Sequence, residues 1–198
     1  PENGAPHFHF DEWTRGGFAL IERAEEILYE MAPDVHTQQK RLIDHVRTLF
    51  RPDDLGAARN DASALLPLAT LERLALAGES YRLAFTPGLL SQVFRRDGEL
   101  LMPDVGEVLE GPGSDKGGYL SSRRLKADGR FPQTDPDGHW WSPSGRSFFS
   151  PTTDDPAAQE LAYARRHFFL IRRSRDPFHS DTIRTERAIT FDRYDLLM

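Results

Sequence analysis

The stretch "DGHWWSPSGRSFFSP", residues 137–151, sets two adjacent tryptophans and a phenylalanine pair among turn signals. Asp137-Gly138 and Pro143-Ser144-Gly145 favour turns. The segments between and beyond them, "HWW" and "RSFFS", read as short antiparallel strands around a tight turn. Adjacent residues on a strand face opposite ways, so Trp140 and Trp141 cannot share one face. A platform for a carbohydrate needs an exposed, flat ring, and at most one of the two could line a given surface. The other would be buried against a helix or the next strand. Trp140, Trp141, Phe148 and Phe149 are therefore expected as structural anchors.

On the C-terminal side, Asp155 is expected to cap a helix with Pro156 at its first position. Leu161, Ala164 and Phe168 fall on one stripe of that helix. Arg165 and Arg166 sit in its last turn, where the helix dipole favours cations. A terminal hairpin should pair "HFFLIRRSRDPF" (167–178) with "AITFDRYDLLM" (188–198). Ile189 and Phe191 share one phase, whereas Tyr194, Leu196 and Met198 share the other, which suggests a bulge near Asp192 or Arg193. Phe168, Phe169 and Tyr194 complete the set of expected anchors.

On the N-terminal side, "SYRLAF" (80–85) is strand-like, and Thr86-Pro87 opens a short helix as N-cap and first residue. Gly98 can end that segment, and "GPGSDKGG" (111–118) is a loop. "HFHFDEW" (7–13) alternates aromatic and polar residues and suits a strand. "FALIERAEEILYEM" (18–31) and "RLIDHVRTLF" (41–50) fit helix by propensity and strand by tertiary pairing.

The 198 residues suffice for one ordinary domain with a real core. A net charge of −6 speaks against a general nucleic-acid binder, which should carry a basic stripe. From Leu161 to Met198, eight arginines face five acidic residues, expected as a solvated and partly paired face. Cysteine is absent, so disulfides and thiolate metal sites are excluded. No run reaches the length of a membrane span, and no signal-peptide layout opens the chain. The chain opens on Pro1 and closes on the apolar "DLLM", and is expected to be a fragment of a longer one.

No constellation carries chemistry by itself. His7 and His9 would point to one face of a strand, but two imidazoles make half of a zinc site. "SPSG" lacks the strand-elbow-helix setting of a nucleophilic serine. "RPDD" and "TTDDP" sit at turns and helix starts, where Asp caps backbone N–H groups. The glycines of "GPGSDKGG" do not form a phosphate-binding loop, because no Gly precedes Lys116 and no Ser or Thr follows it. No catalytic, cofactor-binding or metal residue is assigned. The rival readings are a carbohydrate- or receptor-binding β module using exposed aromatics, and a metal-dependent enzyme fragment built on His7 and His9.

Six blocks occur in order: "RLIDHVRTLFRPDDL", "LPLATLERLALAGESYRLAFTPGLL", "GGYL", "DGHWWSPSGRSFFSP", "ELAYARRHFFLIRRSRDPF" and "FDRYDLLM". Together they resemble the middle segment of the B component of bacterial insecticidal toxin complexes, the Tc toxins. "FDRYDLL" resembles a divergent unit of the RHS/YD-repeat group. The resemblance covers about Arg41 to Met198, and more loosely starts at Trp13. Ile171 and His179 stand where the family pattern has Pro and Gly, and residues are added between the last two strands.

The resemblance implies a structural, non-enzymatic role. In that family the B component carries a propeller that docks on the channel-forming A component. Its RHS part winds with the C component into a hollow shell around the toxic cargo. This chain would be a β-rich α+β piece of shell wall, with antiparallel strands, hairpins and a few short helices. Residues 1–36 would be a strand-like N-terminal segment. Residues 37–198 would be the toxin-B middle region, ending in a YD-like hairpin. The expected partners are the C component with its cargo, and the A component through other parts of the full chain. Neither nucleic acid nor direct membrane insertion is expected. The family's autoproteolytic aspartates lie in the C component and have no counterpart here. Assembly would take place in the bacterial cytoplasm, followed by release outside the cell. On this resemblance the ambiguous runs 18–31 and 41–50 are expected as strands.

Overall fold

The computed structural model describes residues 10–56, 65–113, 115–153, 155–180 and 182–196. In chain order its elements are α1 (Phe10–Gly16), α2 (Phe18–Arg23), β1 (Glu25–Ile27), β2 (Gln39–Arg41), β3 (Val46–Arg51) and β4 (Leu76–Phe85). Next come α3 (Pro87–Gln92), β5 (Arg95–Arg96), β6 (Glu99–Leu100), α4 (Val105–Leu109), β7 (Leu120–Ser121) and α5 (Ser122–Ala127). The chain ends through β8 (Trp140–Pro143), β9 (Arg146–Phe148), α6 (Ala157–Arg166), β10 (Arg173–Arg175) and β11 (Glu186–Ala188). Short strands, mostly antiparallel, with a few short helices make a β-rich α+β fold, as expected from the sequence.

Two compact units share these elements. The first holds residues 1–45 and 86–103, and the second holds 46–85 and 104–198. In the first unit, β1 and β2 pair in parallel, with Glu25 opposite Gln39 and Ile27 opposite Arg41. The run 18–31, expected as strand, starts as α2 and turns to strand only at Glu25. Gly17, at φ 51°, separates α2 from α1. The described part of 7–13 is helical rather than extended: α1 begins at Phe10, with Asp11 and Glu12 in its first turn, where the helix dipole favours anions. Thr86 caps α3 as expected, its Oγ1 accepting from Leu89 N at 3.2 Å, with Pro87 at the first helical position. Asp97 and Gly98, both at positive φ, then turn β5 into β6.

The second unit carries the larger core. Its four-stranded sheet runs β3-β4-β8-β7, all antiparallel. The run 41–50 is extended at both ends, in β2 and β3, but the two ends fall in different units. Leu49, Tyr81, Leu125, Phe131 and Trp141 form one buried cluster. A three-stranded sheet, β11-β10-β9, is also antiparallel. A second cluster of Leu55, Leu76, Phe149 and Ala164 brings α6 into the core.

Three expectations for the C-terminal half change. β8 and β9 flank one turn, yet they do not form a hairpin: β8 joins β4 and β7, whereas β9 joins β10. Gly145, at φ 78°, makes the switch, and a Cβ there would collide with the Arg175 carbonyl oxygen. Pro156, not Asp155, is the N-cap of α6; Asp155 instead accepts a hydrogen bond from Ser150 Oγ. The terminal hairpin exists, but it is short: Arg173 stands opposite Ala188, and Arg175 opposite Glu186. Residues 192–195 form a turn rather than a strand with a bulge. Asp195 N donates to Asp192 O, and Asp192 Oδ1 accepts from the amides of Tyr194 and Leu196.

Candidate functional site

The expected anchors divide sharply. Trp141 is 1% exposed, and its Nε1 donates to Ser122 Oγ at 2.9 Å. Its ring meets Phe131 edge-on at 4.9 Å, and the Arg47 guanidinium lies 4.9 Å above it. Arg47 is held there by Asp135. Trp140, on the other face of β8, is also buried and stands opposite Phe85 and Ser121. Burial of both indoles removes the exposed ring that a carbohydrate platform at this position would need. Phe148 and Phe149 are buried, and Phe169 packs beside Phe149 at 6.2 Å.

Phe168 and Tyr194 are not anchors: they are 76% and 58% exposed. Phe168 and Phe169 both adopt φ 55°, so the backbone leaves the helix at His167 before the apolar stripe reaches Phe168. Glu160, absent from the expected stripe, is instead buried beside Ala164. The Tyr194 ring is exposed in its turn, with the Arg193 guanidinium 4.4 Å from its centre.

Around Phe148 the sheet β11-β10-β9 is laced with arginine. The guanidiniums of Arg173 and Arg175 lie 4.8 and 4.9 Å from the Phe148 ring centre, and that of Arg51 lies at 5.8 Å. Such cations are attracted to the ring face. Arg51 is paired with Glu160 at 3.0 Å, with both side chains 1% exposed. Glu160 also accepts from Phe149 N, and Arg51 donates to Leu55 O, so the buried pair spans β3, α6 and the chain after β9. Arg173 donates to the carbonyls of Ser150 and Thr152 and to Glu186.

A cleft of about 990 Å³ opens beside this sheet. Its lining includes Glu79, Tyr81, Arg130, Arg146, Arg175 and Glu186. Part of one wall is the loop between β10 and β11, with Asp176, Phe178 and His179. Glu79 is the hub: it accepts from Arg130 Nε at 2.8 Å, Arg146 Nη2 at 2.6 Å and Tyr81 Oη at 2.5 Å. Burial pushes the Glu79 carboxyl up, but the Arg130 hydrogen bond, the Arg146 charge and the Tyr81 hydroxyl outweigh it and hold the group below the ordinary range. Burial and the Glu79 charge push the Tyr81 phenol well above its ordinary value. Burial likewise raises Glu186, and its bond to Arg175 and the charges of Arg173 and Arg175 overcome that. Both carboxyls are thus fixed in their charged forms and the phenol in its neutral form. A general acid or base at neutral pH needs the opposite tuning.

The sequence anticipates the arginines of the last forty residues but misplaces them. Expected as a solvated face, Arg172 and Arg173 are 6% and 2% exposed. Arg172 pairs with Asp195, which also receives His167 Nδ1 at 2.6 Å. The His167 hydrogen bond and then Arg172 hold the Asp195 carboxyl below its usual range. The alternating spacing of Arg173 and Arg175 was the available signal, since it puts both on one side of a strand. The ion pairs of Glu79 had none, as its two arginines lie 51 and 67 residues away. His7 and His9 lie outside the described residues. Among the described residues no group of three His, Cys, Asp or Glu could hold a metal ion. Also among them, no helix is long and apolar enough to cross a membrane. Comparison of the chain with protein-family models, curated proteins and solved structures finds no match.

Proposed function

We propose that this chain is a non-enzymatic wall segment of a toxin-complex B component, part of the hollow RHS shell that encloses the cargo of the C component before translocation. The observation that carries the reading is the ordered series of six sequence blocks from Arg41 to Met198. Several features support it. The block with the two tryptophans supplies buried anchors, and the loop between β10 and β11 lines a cleft instead of disrupting the sheet. In the cleft Glu79, Arg130, Arg146, Arg175 and Glu186 are committed to ion pairs that stiffen the wall. The A component would be engaged by other parts of the full chain, and the assembled complex would leave the cell.

The reading is tested by co-expressing the protein with a C component and challenging the purified complex with protease. The cargo should remain intact in the complex and be digested once the complex is denatured. Cargo degraded at the same rate in both states would overturn the proposal.

A further inference from the structure

Five paired-basic dipeptides occur in the chain, Lys40-Arg41 and the Arg-Arg pairs at 95–96, 123–124, 165–166 and 172–173, and the fold treats them differently. Lys40 and Arg41 lie in β2, which is paired with β1 along its whole length, and their side chains donate to the carbonyls of Glu22 and Met31. Arg123 and Arg124 lie in α5, between Ser122 and Leu125, which are both 0% exposed. Arg165 and Arg166 form the last turn of α6, directly after Ala164, also 0% exposed. Arg172 and Arg173 are themselves buried. Arg95 and Arg96 alone make up an exposed strand, β5.

An endoprotease binds several residues around the cut bond in extended form, so the substrate must leave its own structure first. For the four other pairs this means unwinding a helix anchored in the core, extracting ion-paired arginines, or stripping β2 from β1. For Arg95-Arg96 the demand is small. From Ser91 to Asp104 no residue is buried, and only Phe94 and Met102 are partly covered. The hairpin consists of two two-residue strands, Arg95 opposite Leu100 and Arg96 opposite Glu99, extended by Leu101 N donating to Phe94 O. The contact between Arg96 and Asp97 is long, at 3.9 Å, and solvent-exposed. Segments with few buried contacts and exposed backbone bonds open at low free energy, and exposed tips are preferred sites of nicking.

We propose that Arg95-Arg96 is a proteolytic processing site, read by an endoprotease that recognises paired basic residues, and that the cut protein stays in one piece. Cleavage adds water across the Arg96–Asp97 peptide bond: Arg96 gains the carboxylate and Asp97 the free amine. The N-terminal product keeps β3 and β4, and the C-terminal product keeps β7, β8, α5 and α6. Within the second unit, the β4–β8 pairing, the Arg51–Glu160 pair and the cluster of Leu49, Tyr81, Leu125, Phe131 and Trp141 join the two products. The nick falls inside the segment 86–103 of the first unit, so the chain crossings between the units, after His45, Phe85 and Pro103, all stay covalently intact.

The test is limited digestion of the purified protein, with trypsin in one arm and a paired-basic endoprotease in the other. Mass spectrometry identifies the first cut, and size exclusion under native conditions follows the products. The first cut should fall after Arg95 or Arg96 in both arms, and the two products should co-elute as the uncut protein does. The double variant Arg95→Gln, Arg96→Gln should lose this cut while melting as the parent does. A first cut at another basic residue, no cut by the paired-basic enzyme, or products that separate without denaturant would each overturn the proposal.

Discussion

The two sheets of the second unit are held by opposite means. In β3-β4-β8-β7 the buried side chains are mainly aromatic and aliphatic: Leu49, Tyr81 and Trp141 stack with Leu125 and Phe131. In β11-β10-β9 one ring, Phe148, sits among arginines whose charges are met by Glu160 and Glu186. The first kind of core tolerates loss of area in proportion to what is removed. The second fails when one charge loses its partner, because the survivor is left buried and unpaired. A sheet of three-residue strands cannot bury much apolar surface. Charge-assisted bonds to carboxylates and carbonyls take over the task of fixing its register.

Replacing Trp141 by Ala should have the largest effect. It removes the centre of the apolar sheet and strands the Ser122 hydroxyl, and should cost about 3–5 kcal/mol, as for other buried aromatics. Chemical denaturation at neutral pH checks this, and the loss should be nearly independent of salt. A variant that melts as the parent does would mean that the apolar core is not what holds this sheet.

Glu160→Gln sharpens the contrast, because it changes charge with almost no change of shape. The amide can still accept from Phe149 N, but Arg51 loses its counter-charge in a site 1% exposed. The expected loss is about 3 kcal/mol, the low end for breaking a buried pair. The double variant Glu160→Gln, Arg51→Met should recover part of that loss, and an unchanged or larger loss would count against the pair's role.

The smallest expected effect is that of acid. A carboxyl whose pKa is depressed by folding adds stability above its unfolded value, about 4.3 for Glu, and gives it up as the pH falls through the lower folded value. Glu79 and Glu186 are both depressed, so stability should be level near neutrality and decline below about pH 4.3. Glu186→Gln should flatten that decline, whereas Trp141→Ala should leave its shape unchanged. Urea melts across pH 3–7 would reveal either outcome.

Much of the apolar sheet was legible in the sequence. Trp140, Trp141, the strand 80–85 and the cap at Thr86 follow from alternation and local turn chemistry, which act over a few residues. What was not legible depends on distant partners. Nothing near Glu160 tells that its carboxylate meets Arg51, 109 residues earlier. Nor does periodicity show that α6 stops before Phe168, since the stop is made by two left-handed residues without glycine. The strand expected at 7–13 failed over its described part, 10–13, because aromatic alternation outweighed the helix-start signal of Asp11 and Glu12. In the cleft, Tyr81 was legible as part of a strand, but the ion pairs of Glu79 required the chain to bring Arg130 and Arg146 from 51 and 67 residues away.

The bend at Ser144-Gly145 has a kinetic consequence. Ser144 N donates to Ser80 O at 2.8 Å, and its Oγ accepts from Ser80 N at 2.9 Å, so the bend is clamped to the middle of β4. The clamp joins residues 64 apart, and Gly145 directly precedes β9. Compared with the short loop that pairs β9 with β10, where Phe148 meets Arg173, the clamp that seats β8 on β4 closes a long one. Contacts so far apart in sequence form slowly, because the entropy of closure is lost before any pairing is gained. The seating of β8 on β4 is thus the slower of the two pairings.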